Sequence, residues 1–359
     1  MKHSQVPLVS IIIATFNSEK TLPLVLESIQ KQTYPKDKIE VVFIDGGSTD
    51  QTLKLGKKFK CKVLNNPRTE PVFGKYLGYI NAKGRYLMYL DHDEVIENKE
   101  SISLKLKAFR ANSKIKAVAS TGYKNPPGYP FINNYINEFG DPFSFFIYRL
   151  SKNYNFFEQS MKSKYPVALE NEFFTVFDLS KTKVLPLIEL VAGGSMFDAE
   201  TLKKEFPQTL EKYELLPHYF YLLLSKYPCV AITKNDTLLH YSADNLKKYL
   251  NKIKWRVKNN IYHATSMGES GFLGRDKFQP SFFRLKKYLF IPYTYLIIPP
   301  LLDSIFLSIT RREINYMLHL FLTLYTANLI IWHSLLKVLG VNMKLRSYDD
   351  SKEIIEHNK

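Results

Sequence analysis

The fold is decided by the sequence VSIIIATFNSEKTLPLVLESIQKQTYP, residues 9–35, and by IEVVFIDGGSTD, residues 39–50, which follows it. Each segment begins with a largely apolar run of the kind that forms a buried parallel strand. Between the runs, apolar residues recur at helical spacing, and Ser18 can cap a helix from Glu19 to about Gln32. Strand, helix and strand in this order predict an α/β fold with a parallel sheet.

The same alternation continues along the chain. Thr49 or Asp50 can cap a second helix, a short strand is expected around Lys62 to Leu64, and Arg85 to Leu90 is typical of another buried strand. Polar clusters follow three of the strands, namely Thr15-Phe16-Asn17, Asp45-Gly46-Gly47-Ser48 and Asp91-His92-Asp93-Glu94. Because ligands bind beyond the carboxyl ends of the strands in an open parallel sheet, these clusters are candidate binding positions.

Two carboxylates, Asp91 and Asp93, directly follow the Arg85 to Leu90 strand. In this position they can converge on one divalent cation, whose other positions take phosphate oxygens. Such a site suits a nucleoside diphosphate leaving group. An Asp-x-Asp triplet is also common in surface turns, where it caps the backbone. His92 is expected to point away, because alternate residues on an extended chain face opposite sides.

The composition indicates a folded chain with an anionic partner. The 359 residues are 45% hydrophobic and 14% aromatic, which excludes collagen-like, low-complexity and wholly disordered proteins. Two cysteines, Cys61 and Cys229, exclude a disulfide framework and suit a reducing compartment. A formal charge of +16 favours nucleic acid, lipid headgroups or phosphorylated small molecules as partners.

The position of the charge favours a membrane surface. Residues 244–287 hold eleven basic and three acidic residues. Two apolar runs follow, 288–309 and 314–336, each about the 20 residues that a hydrocarbon core requires. Pro299, Pro300 and Asp303 interrupt the first run, so a kinked, re-entrant or interfacial segment is an alternative to a full crossing. We favour membrane attachment. The alternative is that the two runs form a buried helical hairpin in a soluble domain.

Three segments together resemble the family 2 glycosyltransferases, enzymes of the GT-A fold that use nucleotide-diphospho sugars. They are VSIIIATFNSEKTLPLVLESIQKQTYP, IEVVFIDGGSTDQT and GKYLGYINAKGRYLMYLDHDEVI, and their order and spacing match the family. The resemblance covers residues 9–97 and resumes over 191–241, where VAGGSMFDAETLKKEF is similar to the family's acceptor-side segment. It implies a Rossmann-like, mostly parallel central sheet with flanking helices, followed here by C-terminal hydrophobic helices.

The resemblance implies which residues bind the sugar donor. Thr15 and Phe16 are expected to line the nucleoside pocket, and Asp45 to contact the base or the ribose. Lys75 stands where the family often has a basic residue near the diphosphate, with Gly78 allowing close approach. Phe16 can instead be a core residue, and Asp45 a helix cap.

The same resemblance implies a metal site for Mg²⁺ or Mn²⁺. Asp91 and Asp93 match the metal-binding Asp-x-Asp motif, with Asp93 the more direct ligand and a catalytic group. His240 follows a strand that returns toward the metal, and its imidazole can bind the cation or a phosphate. A hydrogen-bonded structural role for His240 is the alternative.

The general base is where the sequence departs from the family, which places a Glu-Asp pair at the start of a helix. The corresponding region, LEKYELLPHYFYLLLSKYP, has no such pair. Glu214 is the first candidate and Glu211 the second; His218 is the third, on the same helical face as Glu214 if the helix continues through Pro217. Glu211 and Glu214 can also form a solvated helix face. An ionised phosphate acceptor needs little base, which slightly favours a lipid-phosphate acceptor.

Four segments are expected along the chain: a GT-A glycosyltransferase domain over 1–243 with a donor half 1–112 and an acceptor side 113–243, a basic amphipathic interfacial segment over 244–287, a membrane-associated helical hairpin over 288–340, and a polar tail over 341–359. In the second segment, LKKYLNKIKWRVKNN has apolar residues at helical spacing, typical of a helix on anionic headgroups. The first residues lack the pattern of a signal peptide, and the basic flanks of the hairpin predict a membrane protein whose catalytic domain faces the cytoplasm.

These expectations indicate a membrane-associated, metal-dependent and inverting glycosyltransferase of the hexosyltransferase type. It would move a sugar from a UDP- or GDP-type nucleotide-diphospho sugar to a lipid-linked or saccharide acceptor, with membrane lipids as partners and no nucleic acid. A non-catalytic membrane-bound nucleotide-sugar-binding protein is the first alternative, because the Glu-Asp pair is missing. A nucleotidyltransferase is less favoured, since ATFNSEK is neither a Gly-rich nor a basic phosphate loop. A nucleic-acid binder is the weakest alternative, because the basic residues adjoin apolar runs.

Overall fold

The computed structural model describes residues 6–263, 275–344, 346 and 353. The strands within these residues are β1 Val9–Thr15, β2 Ile39–Asp45, β3 Lys62–Asn65, β4 Tyr86–Tyr89, β5 Glu94–Ile96, β6 Ile115–Ala119, β7 Gly122–Lys124, β8 Val167–Glu170, β9 Phe174–Asp178, β10 Met196–Asp198, β11 Cys229–Thr233 and β12 Thr237–His240. The α-helices are α1 Leu22–Gln30, α2 Thr52–Lys58, α3 Pro71–Asn81, α4 Ser101–Ala111, α5 Phe131–Phe139, α6 Pro142–Tyr148, α7 Phe157–Lys162, α8 Ala199–Glu205, α9 Tyr219–Lys226, α10 Leu246–Tyr262, α11 Ser281–Leu285, α12 Phe290–Tyr295, α13 Ile298–Arg311 and α14 Leu318–Val338. Short 3-10 helices cover Lys36–Lys38, Pro207–Leu210, Tyr213–His218, Asp276–Phe278, Lys286–Leu289 and Ile314–Met317.

A large central sheet and a small one organise the described chain. The large sheet has the order β3-β2-β1-β4-β10-β6-β11-β9-β8, and the small one has the order β5-β12-β7. Strands β3, β2, β1 and β4 are mutually parallel, whereas β10 runs antiparallel to both of its neighbours. The predicted α/β fold is confirmed. The sheet is parallel in the half that carries the first three motifs and mixed beyond β4, because β9 and β10 run in the opposite direction.

Helices cover both faces of the parallel half, which explains why β1 is apolar along most of its length. Ile11 and Ile13 pack in the cluster that contains α1 and α4. Ile12 points to the opposite face and packs in the cluster that contains α3 and α9. The carboxyl ends of β1, β2 and β4 therefore lie side by side at one edge, where the polar clusters begin.

Helix α1 begins later than the sequence predicts. It starts at Leu22. The backbone carbonyl of Ser18 accepts hydrogen bonds from the amides of Thr21 and Leu22 just before the helix. The Ser18 side chain instead exchanges hydrogen bonds with the backbone of Phe16. The predicted side-chain cap is wrong because the turn after β1 uses the hydroxyl.

Helix α3 lies unusually close to the sheet at Gly78. A Cβ atom placed on Gly78 would be 2.3 Å from Ile12 Cγ2 and 2.9 Å from Ile44 Cδ1. The glycine is therefore required for helix and sheet to touch. The expectation that Gly78 makes room for a diphosphate is wrong, since the atoms it leaves room for belong to β1 and β2.

We expect Gly78→Ala to lower the free energy of unfolding by about 1–3 kcal/mol, the usual range for over-packing a core. The methyl group would push α3 away from two strands whose side chains are held by the sheet. Denaturant-induced unfolding measures the change. Gly56→Ala is the matched control, because its Cβ would meet only the ring of Phe43, at 3.2 Å, and a ring can move. Equal losses in the two variants would contradict this explanation.

Helix α10, in the predicted interfacial segment, turns its apolar face toward protein. Tyr249, Ile253 and Val257 are buried in a cluster shared with α5, α13 and α14. The expectation that this face lies on lipid headgroups is therefore wrong. The lysines of the opposite face, such as Lys247 and Lys254, are exposed. The segments after residue 243 thus share a core with α5.

The predicted hairpin is a bent pair of short helices followed by one long helix. The segments Ser281–Tyr295 and Ile298–Arg311 meet at 90°. Ile297 at the corner has a φ of 62°, and two prolines begin α13. The segment Ile314–Val338 is long and apolar enough to cross a membrane by length and composition, and a third of it is buried inside the protein. The kinked alternative for the first run is the arrangement that the structure has.

Candidate active site

The turn after β4 brings Asp91 to Lys75. The Lys75 ammonium lies 2.5 Å from Asp91 Oδ1 and donates a hydrogen bond of 2.6 Å to the carbonyl of Val191. Burial lowers the pKa of Lys75, but the Asp91 carboxylate outweighs burial and leaves that pKa above its ordinary value. Lys75 is therefore a permanent cation that joins α3, the β4 turn and the segment before β10.

Residues 91–94 form a turn, whereas an extended chain was predicted. The amide of Glu94 donates to the carbonyl of Asp91 at 3.1 Å. His92 does point away from the carboxylates, and its Nδ1 lies 3.4 Å from Thr21 Oγ1 near the start of α1. The direction of the His92 side chain is set by the turn at residues 91–94 and not by the alternation of side chains along a strand.

The structure pairs Asp93 with His240. The Nε2 atom of His240 is 3.6 Å from Asp93 Oδ2, and the Tyr123 ring lies against the imidazole at a centroid distance of 4.8 Å. Burial raises the pKa of Asp93, but His240 and His92 outweigh it and hold that pKa well below its usual range. Burial likewise lowers the pKa of His240, yet Asp93 outweighs it and raises that pKa. A charged or hydrogen-bonded pair results.

Glu94, which sequence reasoning missed, connects this pair to the Gly-Gly segment. Its side chain is fully buried and accepts hydrogen bonds from the amide of Gly193, at 2.9 and 3.0 Å, and from the Tyr123 hydroxyl, at 2.6 Å. Burial, and then the Asp91 charge, raise the pKa of Glu94 to about 7. Gly193 has a φ of 67°, a conformation that favours glycine. The Gly-Gly pair was the sequence signal for this contact.

Asp45 closes the turn that follows β2. It is 3% exposed, and its Oδ2 accepts from the amides of Gly47 and Ser48, both at 2.9 Å. Its Oδ1 accepts from the Ser48 hydroxyl at 2.6 Å and lies 3.4 Å from Thr15 Oγ1. The capping role that the sequence left open is thus present, although the carboxylate caps its own turn rather than α2. Half-buried Phe16 follows Thr15 at the end of β1, beside this turn.

We expect Asp45→Asn to raise the apparent KM for the sugar donor with little change in stability. The asparagine oxygen can still accept from Gly47 and Ser48, but the carboxylate that would accept from a base N–H is lost. Steady-state kinetics with varied donor measures the effect. Asp50→Asn is the control, because Asp50 accepts from the Thr52 amide at the start of α2. An unchanged donor KM in Asp45→Asn would count against a pocket role.

The three candidate bases lie in or just before the 3-10 helix Tyr213–His218, which packs against α3. Glu214 belongs to the 3-10 helix Tyr213–His218, and its charge acts on Tyr76 and Tyr213. His218 is fully buried, with its ring 5.3 Å from that of Phe278. Because a 3-10 helix has three residues per turn, Glu214 and His218 do not share a face, and the predicted pairing is wrong. Glu211 is exposed just before this helix.

Two residues that sequence reasoning missed hold the chain after β12. The Asn133 side chain donates to the carbonyl of His240 at 2.8 Å and accepts from the amides of Ser242 and Ala243. Lys252 of α10 donates to Ser242 Oγ at 2.7 Å. Burial lowers the pKa of Lys252 to about 8, although Asp93 opposes this shift. Sequence analysis counted Lys252 only as part of the basic segment.

The residues present fit a divalent cation in part. Asp93 and His240 lie together, and His240 Nδ1 is buried with no hydrogen-bond partner in the part of the chain that the structure describes. Asp91 faces the same turn, but its carboxylate is paired with Lys75. Among the described residues, no group of three His, Cys, Asp or Glu side chains is already arranged to hold a metal ion. Asp93 and His240 are therefore the best-placed ligands, with Asp91 next to them.

Part of the chain is similar in sequence to known glycosyltransferases. The family model described as glycosyl transferase family 2 matches residues 10–168. The poly(ribitol-phosphate) beta-N-acetylglucosaminyltransferase TarS of Staphylococcus aureus is 35% identical over 99 residues, which are 26% of this chain and 17% of TarS. The UDP-Glc:alpha-D-GlcNAc-diphosphoundecaprenol beta-1,3-glucosyltransferase WfaP of Escherichia coli is 36% identical over 91 residues, 24% of this chain and 36% of WfaP. The solved mannosyltransferase PcManGT from Pyrobaculum calidifontis, in complex with GDP-Man and Mn²⁺, is similar with a TM-score of 0.49 at 13% identity, over 92% of this chain and 88% of PcManGT.

The chain has an α/β fold with acidic and basic side chains at the carboxyl ends of its parallel strands. The family model matches residues 10–168, which are less than half of the chain, so the resemblance carried by the motifs is confirmed over that segment. The chain spans only 17% and 36% of the two curated relatives compared above.

Proposed function

We propose that this protein is a glycosyltransferase, which moves a hexose from a UDP- or GDP-type nucleotide sugar to a lipid-linked or saccharide acceptor at a membrane. The observation that carries the proposal is the cluster of Lys75, Asp91, Asp93 and His240 at the ends of β4 and β12. It combines a buried cation with two carboxylates and an imidazole beside the strands that carry the family motifs.

Each group of the cluster has a part in binding and leaving-group departure. Thr15, Phe16 and Asp45 lie at the ends of β1 and β2, where they would receive the nucleoside. Asp93 and His240, with Asp91, would hold Mg²⁺ or Mn²⁺, which supplies electrostatic stabilisation of the diphosphate when bound. Lys75 adds a fixed positive charge, which favours a diphosphate beside it as negative charge develops on the leaving group.

The acceptor oxygen would attack the anomeric carbon from the face opposite the leaving diphosphate, with inversion. Glu214 remains our first candidate for the base, because it lies in the segment that corresponds to the family's base region. Glu211 is the second candidate, and fully buried His218 is less suited to meet an acceptor. A phosphate acceptor would need none of the three. We place the catalytic domain on the cytoplasmic face, since nucleotide sugars are cytosolic and the hairpin flanks are basic.

A donor screen tests the proposal. Purified full-length protein is incubated with UDP- and GDP-sugars, with Mg²⁺, Mn²⁺ or a chelator, and with or without membrane lipid extract, and nucleoside diphosphate release is measured. We expect metal-dependent release from one donor that lipid extract stimulates. Tight binding of one donor without release, in the presence of lipid and both metals, would contradict the proposal and favour the non-catalytic alternative.

A further inference from the structure

The outer face of α13 is apolar and exposed. Ile298, Leu302, Phe306 and Ile309 are 66%, 59%, 58% and 70% exposed, and their spacing puts them on one side of the helix. The opposite side carries Pro300, Ser304 and Leu307, all buried. Helix α13 therefore shows the reverse of the usual surface pattern, with its large apolar residues outside.

The elements next to α13 are exposed in the same way. Other exposed large apolar side chains lie on α11, at the corner before α13 and on α14; they are Phe282, Leu285, Leu296, Ile297, Phe321, Trp332, Leu335 and Val338. We call these residues, together with the four on α13, the apolar face. Soluble proteins rarely expose this much contiguous apolar surface, and a set of this size indicates an interaction site.

The inner side of α14 is bound to α10 along much of its length. Leu322 packs in the cluster that holds Tyr249 and Val257 of α10. Farther along, the Tyr262 hydroxyl donates to the carbonyl of His333 at 3.0 Å, and the Lys337 ammonium donates to the carbonyl of Ile261. Helix α14 thus cannot enter a bilayer without α10 beside it.

Helix α10 is unsuited to a hydrocarbon core, since its outer side carries lysines. Each charged side chain at the centre of a bilayer costs about 2.5–3.5 kcal/mol even on insertion scales. If α14 crossed the membrane, several lysines of α10 would enter the hydrocarbon core, or the contacts between α10 and α14 would break. A position along the membrane surface avoids both, because the apolar face can enter the lipid while α10 stays outside.

A basic cavity adjoins the apolar face. It has a volume of about 360 Å³ between α10 and α14, and its lining includes Lys254, Lys258, Trp332 and His333. Trp332 is 56% exposed. Tryptophan and lysine together are typical of the headgroup level of a membrane, and clustered lysines attract anionic lipids.

We propose that the protein lies on one leaflet of an anionic bilayer, with the apolar face in the lipid, Lys254 and Lys258 at the headgroups, and neither α13 nor α14 crossing the membrane. This proposal specifies how the protein attaches to the membrane, and it rests only on the membrane attachment in the proposed function. It requires no donor, metal or turnover.

Vesicle flotation of the full-length protein tests the surface. Because burying a large apolar side chain is favourable by about 1.5–3 kcal/mol, we expect Phe306→Glu and Ile309→Glu each to lower partitioning about tenfold or more. Leu24→Glu on α1 is the matched control, since Leu24 is an exposed apolar side chain 40% accessible on the catalytic domain. Equal partitioning of the control and the α13 variants would overturn the proposal.

The lysines are tested with vesicles of phosphatidylcholine, with and without phosphatidylglycerol. Lys254→Gln combined with Lys258→Gln should weaken binding at least about fivefold, and only when phosphatidylglycerol is present, since each lysine near an anionic surface contributes about 1 kcal/mol. Lys247→Gln combined with Lys248→Gln, at the exposed start of α10, is the control. An equal effect on both vesicle types would contradict the headgroup contact.

Cysteine labelling distinguishes a surface position from a crossing. Asn315→Cys and Asn342→Cys place thiols at exposed positions before and after α14, while native Cys229 is buried and Cys61 serves as the background. In sealed vesicles with the cytoplasmic face outward, both new thiols should react with an impermeant maleimide. Reaction of one thiol only after permeabilisation would show a crossing and overturn the proposal.

Donor release measured in detergent separates the two proposals. Phe306→Glu and Ile309→Glu should retain release there, because the substituted side chains are exposed on α13. Vesicle binding without release from any donor would count against the proposed function alone. Release with no binding of the wild-type protein to vesicles would count against the surface alone.

Discussion

Asp93→Ala should lower the rate of sugar transfer by at least about a hundredfold, the scale expected when a main electrostatic stabiliser is removed. Asp93 is the carboxylate that the structure pairs with His240, and it is held ionised there. Its loss removes the best-placed cation ligand and leaves the imidazole without its partner. Initial rates of nucleoside diphosphate release at saturating donor and metal measure the change.

The control for this prediction is Asp244→Ala. Asp244 is an exposed carboxylate shortly after β12, and its ion pair with Lys248 lies at 3.7 Å. Its removal should change the rate by less than about twofold, because exposed ion pairs contribute little. Near wild-type turnover in folded Asp93→Ala protein would sink the assignment of the site. Circular dichroism and thermal unfolding establish that both variants are folded.

The largest effect on stability is expected at the buried pair of Lys105 and Asp236. Both side chains are fully buried and form an ion pair between α4 and the turn that joins β11 to β12. Lys105 also donates to Ser101 Oγ at 2.7 Å, and Asp236 accepts from Thr233 Oγ1 at 2.7 Å. Lys105→Met should lower the free energy of unfolding by about 3–5 kcal/mol, because it leaves a buried carboxylate without its cation.

The matched control is Lys124→Met, which breaks an ion pair at the surface. Lys124 lies 2.9 Å from Glu97, and both side chains are partly exposed. The expected loss is at most about 1 kcal/mol. Denaturant-induced unfolding of the two variants gives the comparison, and a loss below 1 kcal/mol for Lys105→Met would contradict the role of the buried pair. Because Asp236 precedes β12, Lys105→Met should also loosen the strand that carries His240.

Local patterns in the sequence determined the α/β class and the elements that carry the motifs. Strands β1, β2 and β4 lie within a residue or two of where apolar runs predict them, because a strand buried on both faces must be apolar at consecutive positions. The carboxyl ends of parallel strands meet at one edge, so Asp45 and Asp91 could be placed near a ligand site from sequence alone.

The contacts within the site were decided by the tertiary structure. Lys75 meets Asp91 across sixteen positions. Asp93, in the turn before β5, meets His240 at the end of β12, and no local pattern specifies the register of the sheet that these two strands form. Glu94 was one member of the polar cluster that follows β4, yet it is buried and accepts a hydrogen bond from the amide of Gly193, ninety-nine residues later.

For the C-terminal helices too, the sequence determined one property and the tertiary structure another. Helical spacing in the sequence indicated that α10 is amphipathic, but spacing alone cannot say which surface covers an apolar stripe. Packing decided it: the apolar stripe of α10 is buried against α5 and α14, and that of α13 is left exposed. Each outcome depends on which neighbours the fold supplies, and these are contributed by segments distant in the chain.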